Sequence, residues 1–143
     1  MSNIAVIRIK GQVGIQKKIV DTLERLRVHR KYTCSVFINP SAMTQGMIKK
    51  VDNFVAFGEI NDDIFKEMVE KRGKLIDKTK KTDLKKAAEE ILAGKNPEDV
   101  NVKPYFRLHS PRKGIKTKLH FGHGKGVLGN HKDKINELIG RML

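Results

Sequence analysis

Hydrophobic and polar positions repeat with two different periods along this chain, and the changes of period mark its elements. Ile4-Ala5-Val6-Ile7-Arg8-Ile9 reads as a first β-strand, and Gly11 and Gly14 then predict a loop. Ile15, Ile19, Val20, Leu23 and Leu26 fall on one face of a helix, with Lys17, Lys18, Asp21, Glu24 and Arg25 on the wet side. The β-rich run from Tyr32 to Asn39 predicts a second strand, closed by Pro40. Ser41 is an expected N-cap for a short helix carrying Met43, Met47, Ile48 and Val51. Phe54-Val55-Ala56-Phe57 then reads as a third strand.

The first 60 residues thus predict β-α-β-α-β, with helices on one face of a small sheet. Residues 61–102 read as a helical extension. Asn61 is expected to cap a helix burying Ile64, Phe65, Met68 and Val69. Thr82 is expected to cap another, burying Leu84, Ala87, Ala88, Ile91 and Leu92, with Gly94 ending it. In residues 103–143, Tyr105 to His109 suggests a short strand. Ser110 to Gly129 reads as a long basic, Gly-rich loop or a β-ribbon. Asn130 is expected to cap a last helix with Ile135, Leu138, Ile139 and Met142 facing inward, packed on the core. No repeat or linker divides the 143 residues, so one compact domain is expected, α+β in class and related to the ferredoxin-like arrangement.

Charge changes the picture. The net charge is +14, from 30 Lys and Arg against 16 Asp and Glu. A charge that large repels itself in a free domain and becomes sensible beside a polyanion. It is unevenly placed. Residues 61–102 are balanced, with ten charges of each sign, whereas no acidic residue occurs from Val100 to Lys132. A stretch with no counter-ions of its own suits phosphates, where released counterions supply free energy. No apolar run approaches the ~20 residues of a membrane span, and the basic density lies in a Gly-rich loop, so no membrane partner is expected. The one cysteine, Cys34, lies in an apolar run and is expected to be a reduced core residue of a cytoplasmic protein.

Catalytic motifs are absent. Gly122-His123-Gly124-Lys125-Gly126 fails as a nucleotide-binding P-loop, because Gly126 follows Lys125 and Leu119 stands where the first glycine belongs. His120 and His123 have no Cys or carboxylate nearby to complete a zinc set. No enzyme activity, cofactor, metal or small-molecule substrate is therefore expected. Glycines there let backbone approach an RNA strand closely, while Arg107, Ser110, Arg112, Lys113, Lys116, Lys118, His120, His123 and Lys125 reach phosphates or stack on bases. Arg25, Arg27, Arg30 and Lys31 cluster beyond the first helix, more than its dipole needs, and Arg27, Arg30 and Lys31 join the expected RNA-binding set. So do Lys49 and Lys50, at the end of the second helix.

Three segments carry a resemblance. Val36-Phe37-Ile38-Asn39-Pro40-Ser41-Ala42-Met43-Thr44-Gln45-Gly46-Met47-Ile48-Lys49-Lys50-Val51 resembles the centre of the large-subunit ribosomal protein L-thirty family, called L-seven in eukaryotes. Phe106-Arg107-Leu108-His109-Ser110-Pro111-Arg112-Lys113-Gly114-Ile115-Lys116 resembles the Ser-Pro-Arg-x-Gly segment of its archaeal and eukaryotic long form. The segment from Gly129 to Ile139 is similar to that form's C-terminal helix. The first strand starts by Ile4, without the eukaryotic basic extension, which favours the archaeal type. The resemblance implies a three-stranded antiparallel sheet in the order 3-1-2 with two helices. It also implies binding to 23S-type rRNA, with 5S rRNA contacted in the long form, and a monomer among neighbouring large-subunit proteins. A factor acting in rRNA maturation off the mature ribosome shares every charge feature and stays open on the sequence.

Overall fold

A computed structural model describes residues 3–11, 13–115, 117–120 (backbone course only) and 126–143. The order of elements is β1 (Ile4–Arg8), α1 (Lys17–Arg25), β2 (Thr33–Phe37), α2 (Ala42–Lys50), β3 (Val55–Glu59), α3 (Asp62–Arg72) and α4 (Leu84–Leu92). Then follow β4 (Tyr105–Arg107), β5 (Thr117–His120), β6 (Gly126–Asn130), a 3-10 turn (Lys132–Lys134) and α5 (Ile135–Met142).

The β-α-β-α-β reading of the first 60 residues holds, and β1 lies between β2 and β3, antiparallel to both. The three-stranded sheet does not hold. β4 adds to the free edge of β2, and β6 adds to β3 in parallel, giving a mixed sheet β4-β2-β1-β3-β6 with β5 outside β6. The physical reason is that β2 and β3 would otherwise be open edges with unpaired N–H and C=O groups. The last third of the chain closes both. The stretch from Ser110 to Gly129 is not a bare loop, since it holds the strand Thr117–His120 and most of Gly126–Asn130, which pair in parallel with an irregular register.

The two helices of the first 60 residues, α1 and α2, cover one face of the sheet, as expected, and α3, α4 and α5 cover the other. Residues Ala5, Ile7 and Ile9 point into a core shared with Phe65, Met68 and Val69 of α3, Ala87, Ala88 and Ile91 of α4, and Ile135, Leu138, Ile139 and Met142 of α5. Val6 points the other way, toward Leu23, Leu26, Val28, Ile48 and Val51. Two-sided burial explains why β1 is apolar at nearly every position instead of alternating. Cys34 is fully buried in the first core, and burial pushes its thiol up to about 12, so it stays protonated and inert.

Caps follow their chemistry. Ser41 Oγ accepts from Thr44 N at 3.3 Å, as expected. The α4 cap is Asp83, whose carboxylate accepts from Lys85 N at 3.0 Å, and not Thr82. Gly94, at φ +109°, ends that helix with paired bonds from Gly94 N to Ile91 O and from Lys95 N to Glu90 O. Asn130 Oδ1 accepts from Lys132 N at 2.9 Å in a turn ahead of the 3-10 segment, but the cap position of α5 is Lys134 and not Asn130, because that segment intervenes.

Two devices fix the last helix. Asn136 Oδ1 accepts from Asn61 N at 2.8 Å while its Nδ2 donates to Glu59 O at 3.1 Å, stapling α5 to the β3–α3 corner. Gly58 admits the closest approach, since a Cβ there would sit 2.2 Å from Lys132 O and 2.9 Å from Ile135 Cβ.

Candidate nucleic-acid interface

The strand registers bring Arg107, and the residues just ahead of β2, to one end of the sheet. Arg8 opposes Val55, Ile7 opposes Cys34, and Thr33 opposes Arg107. The end of β1, the starts of β2 and β3 and the end of β4 therefore share that edge. Arg30 and Lys31 immediately precede β2 there, and both are exposed. Lys49 and Lys50 close α2 just ahead of β3, and are exposed. Arg107 ends β4, exposed, and the chain continues from it into Ser110, Arg112 and Lys113, all exposed. Lys10 also reaches this end, with Nζ 5.4 Å from the centre of the Phe54 ring. Lys31 Nζ lies 5.1 Å from that of Tyr32.

A buried arginine shapes this end. Arg8 is 2% exposed, and no carboxylate among the described residues forms an ion pair with it. Its Nη1 donates to Val28 O and His29 O at 3.0 Å, its Nε to Lys10 O at 3.0 Å and its Nη2 to Gly11 O at 3.2 Å. Four carbonyls satisfy a group whose burial is otherwise very costly. The guanidinium ties the loop after β1 to the turn after α1, and so sets where His29 and Arg30 stand. The one polar residue in an apolar strand is the only sequence signal for this role.

Arg27 differs from its neighbours. It occupies the position just past the α1 cap with φ +64°, where glycine is usual. The flanking bonds, from Arg27 N to Glu24 O and Val28 N to Leu23 O, form the expected helix-ending pair. Its side chain is 48% exposed and lies 4.0 Å from Glu98.

The segment after β4 is anchored by its backbone, leaving its cations outward. Arg112 N donates to Arg141 O at 3.0 Å, and Arg141 Nε donates back to Arg112 O at 3.1 Å. Arg141 Nη2 reaches Gly114 O, and His109 N donates to Met142 O at 3.2 Å. Lys113 sits at φ +66° in the resulting turn. Of the remaining expected residues, Lys116, His123 and Lys125 lie outside the described residues, as do the side chains of Lys118 and His120.

Sequence reasoning missed a cleft of about 310 Å³, lined by His29, Arg30, Thr33, Lys74, Lys103, Tyr105 and Arg107. Lys103 N donates to Lys74 O at 2.9 Å, which joins two lysines 29 positions apart. Tyr105 meets the His29 ring edge-on, with centroids 6.5 Å apart. The cleft has no acidic lining residue, and none of its four Lys and Arg residues makes an ion pair among the described residues. Such an arrangement has no hydrolytic machinery; its chemistry is anion binding beside an aromatic face. No three His, Cys, Asp or Glu side chains gather as a metal site among the described residues. No helix among them is long and apolar enough to cross a membrane.

The profile of the family described as Ribosomal protein L30p/L7e matches residues 4–55. A large ribosomal subunit protein uL30 of Methanococcus maripaludis is 39% identical, over 97% of this chain and 98% of its own. The protein of that name from Archaeoglobus fulgidus is 38% identical over 96% and 98%. That of Nanoarchaeum equitans is 34% identical over the full length of both.

Proposed function

The chain belongs to the ribosomal protein L30p/L7e family, and from that premise we propose that it is a structural constituent of the large ribosomal subunit that grips ribosomal RNA. It acts in translation, in the cytoplasmic ribosome, as a non-catalytic part of the ribonucleoprotein and a monomer there among neighbouring large-subunit proteins. The observation that supports the reading is the set of exposed cations at one end of the sheet, Arg30 and Lys31 just ahead of β2 and Arg107 at the end of β4, beside a cleft with no acidic lining residue. Cations so placed lower their mutual repulsion by lying on phosphates.

In this reading residues 1–60 and the helices of 61–102 form a rigid platform. Residues 103–143 carry the grip and return to the core through α5. Arg27, Ser110, Lys116, Lys118, His120, His123 and Lys125 complete the contact set. The RNA is of 23S type, and 5S rRNA is the second partner, as the archaeal long form of the family implies. Sedimentation of cell extract at moderate salt tests this. The protein is expected with mature large subunits and polysomes in near-stoichiometric amount. Residence only with immature particles, or at the top of the gradient, would replace the reading with that of a maturation factor.

A further inference from the structure

The geometry points to the cleft between the α1–β2 turn and β4 as a pocket for one unpaired RNA nucleotide, its base stacked on Tyr105 and its flanking phosphates held by Arg30, Lys74, Lys103 and Arg107. The inference rests on the RNA-binding reading above and deepens it. A surface that only follows a duplex backbone needs spaced cations and no hollow. Here the four cations surround a concave space of about 310 Å³, at the lower end of ligand-sized clefts (~300–1,000 Å³).

The ring is built in, too. Tyr105 opposes Ser35 in the β4–β2 pair, so its backbone is held by the sheet, and its ring is half-exposed at the cleft wall. His29 meets that ring edge-on, which leaves a π-face for a base. Stacking on an aromatic face is how single-stranded nucleotides are bound with little regard to base identity. The side chains come from both halves of the chain. Arg30 belongs to residues 4–55, matched by the family profile, whereas Lys74, Lys103, Tyr105 and Arg107 lie beyond them. The pocket exists only because β4 extends the sheet.

Two hairpin RNAs of equal length test it by fluorescence anisotropy at low salt, one fully paired and one with a single unpaired adenosine. Wild-type protein is expected to prefer the unpaired nucleotide by about tenfold, the order of one base–aromatic stack. Tyr105→Leu should abolish the preference, and Tyr105→Phe should keep it. The double change Lys74→Gln with Lys103→Gln, on half-exposed or exposed positions, should weaken the bulged complex even if Tyr105→Leu folds poorly. Equal wild-type affinity for both hairpins, or a preference that survives Tyr105→Leu, would overturn the pocket and leave the RNA-binding reading standing. Competition by free AMP as strong as by the bulged hairpin would overturn it in favour of a free-nucleotide site. Failure to bind either hairpin would sink the RNA-binding reading itself.

Discussion

The helical layer of α3 and α4 and the end of the sheet beside it are both rich in lysine, yet they neutralise charge in opposite ways. In the layer, Glu67 meets Lys71 at 2.8 Å, Glu70 meets Lys85 at 3.7 Å and Glu90 meets Lys95 at 3.3 Å. At the sheet end, Arg30, Arg107, Arg112 and Lys113 make no ion pair among the described residues. What holds that region is backbone bonding, through Arg141 and Arg8. Solvent-exposed ion pairs contribute only ~0–1 kcal/mol each, so the layer gains solubility more than stability. The difference teaches that the sign pattern reports the partner: one surface supplies its own counter-ions, and the other leaves them to be supplied.

The sharpest way to break this comparison is to remove equal charge from each side. The triple change Arg107→Gln, Arg112→Gln and Lys113→Gln should lower the slope of log affinity for rRNA fragments against log salt by about three, one per lost phosphate contact. Lys71→Gln, Lys85→Gln and Lys95→Gln together should leave the slope unchanged. A titration series from low to moderate salt reads both, and equal losses would erase the distinction between the two surfaces.

Much of this contrast was legible in the sequence, because charge and helical periodicity are local properties. The acid-free run, the faces of α3 and α4 and the burial of Ile135, Leu138, Ile139 and Met142 needed no structure to find. The sheet edges were not legible. The strand at Tyr105–Arg107 is legible from its aromatic residues but its place against β2 is not, and β6 contains two glycines and so carries weak strand propensity. Each forms because a neighbouring edge offers partners. The cleft was hidden for the same reason: Lys74 and Lys103 meet only through tertiary pairing. The α4 cap falls one position beyond Thr82 because the adjacent Asp83 is the stronger cap former.

The next largest effect is on the junction that returns the acid-free stretch to the core. Gly58→Ala places a methyl 2.2 Å from the Lys132 carbonyl, where backbone must move. A loss of about 1–3 kcal/mol is expected, as for other overpacked sites, read as a lower urea midpoint at unchanged slope. Gly46→Ala, on exposed α2 with nothing within 4 Å, is the control and should stabilise slightly. Equal behaviour of the two would mean that α5 does not depend on this approach.

Acid tests the same junction more gently. His131 is 6% exposed, its Nε2 lies 2.5 Å from Val127 O, and its backbone N donates to Phe57 O at 2.8 Å. Burial holds its pKa below the ordinary value, against a smaller opposing effect of the Val127 carbonyl. The unfolded chain therefore binds a proton here more readily than the folded one. Its stabilising contribution is full above the unfolded value, about 6.5, and is lost as pH falls below it toward the lowered folded value. Unfolding free energy measured from pH 7 to pH 5 should fall, and His131→Gln should flatten that fall. An unchanged profile would assign the acid sensitivity to other groups.

The smallest expected effect on stability separates fold from function most cleanly. Arg27 holds a left-handed conformation that costs an L-residue roughly 1–2 kcal/mol, at a position where glycine is at ease. Its only ion-pair partner among the described residues, Glu98, lies at 4.0 Å across exposed surface and returns little. A residue kept against its own backbone preference, without a compensating contact in the protein, is one whose side chain is used elsewhere. Arg27→Gly should therefore stabilise the free protein by about 0.5–1 kcal/mol, after the extra entropy glycine gives the unfolded chain. The same change should weaken RNA binding and lower the salt slope by about one. Thermal unfolding and the salt titration read the two signs independently. Stabilisation without loss of binding would leave the strain at Arg27 with no function, and would move the grip wholly to the β4 side of the sheet.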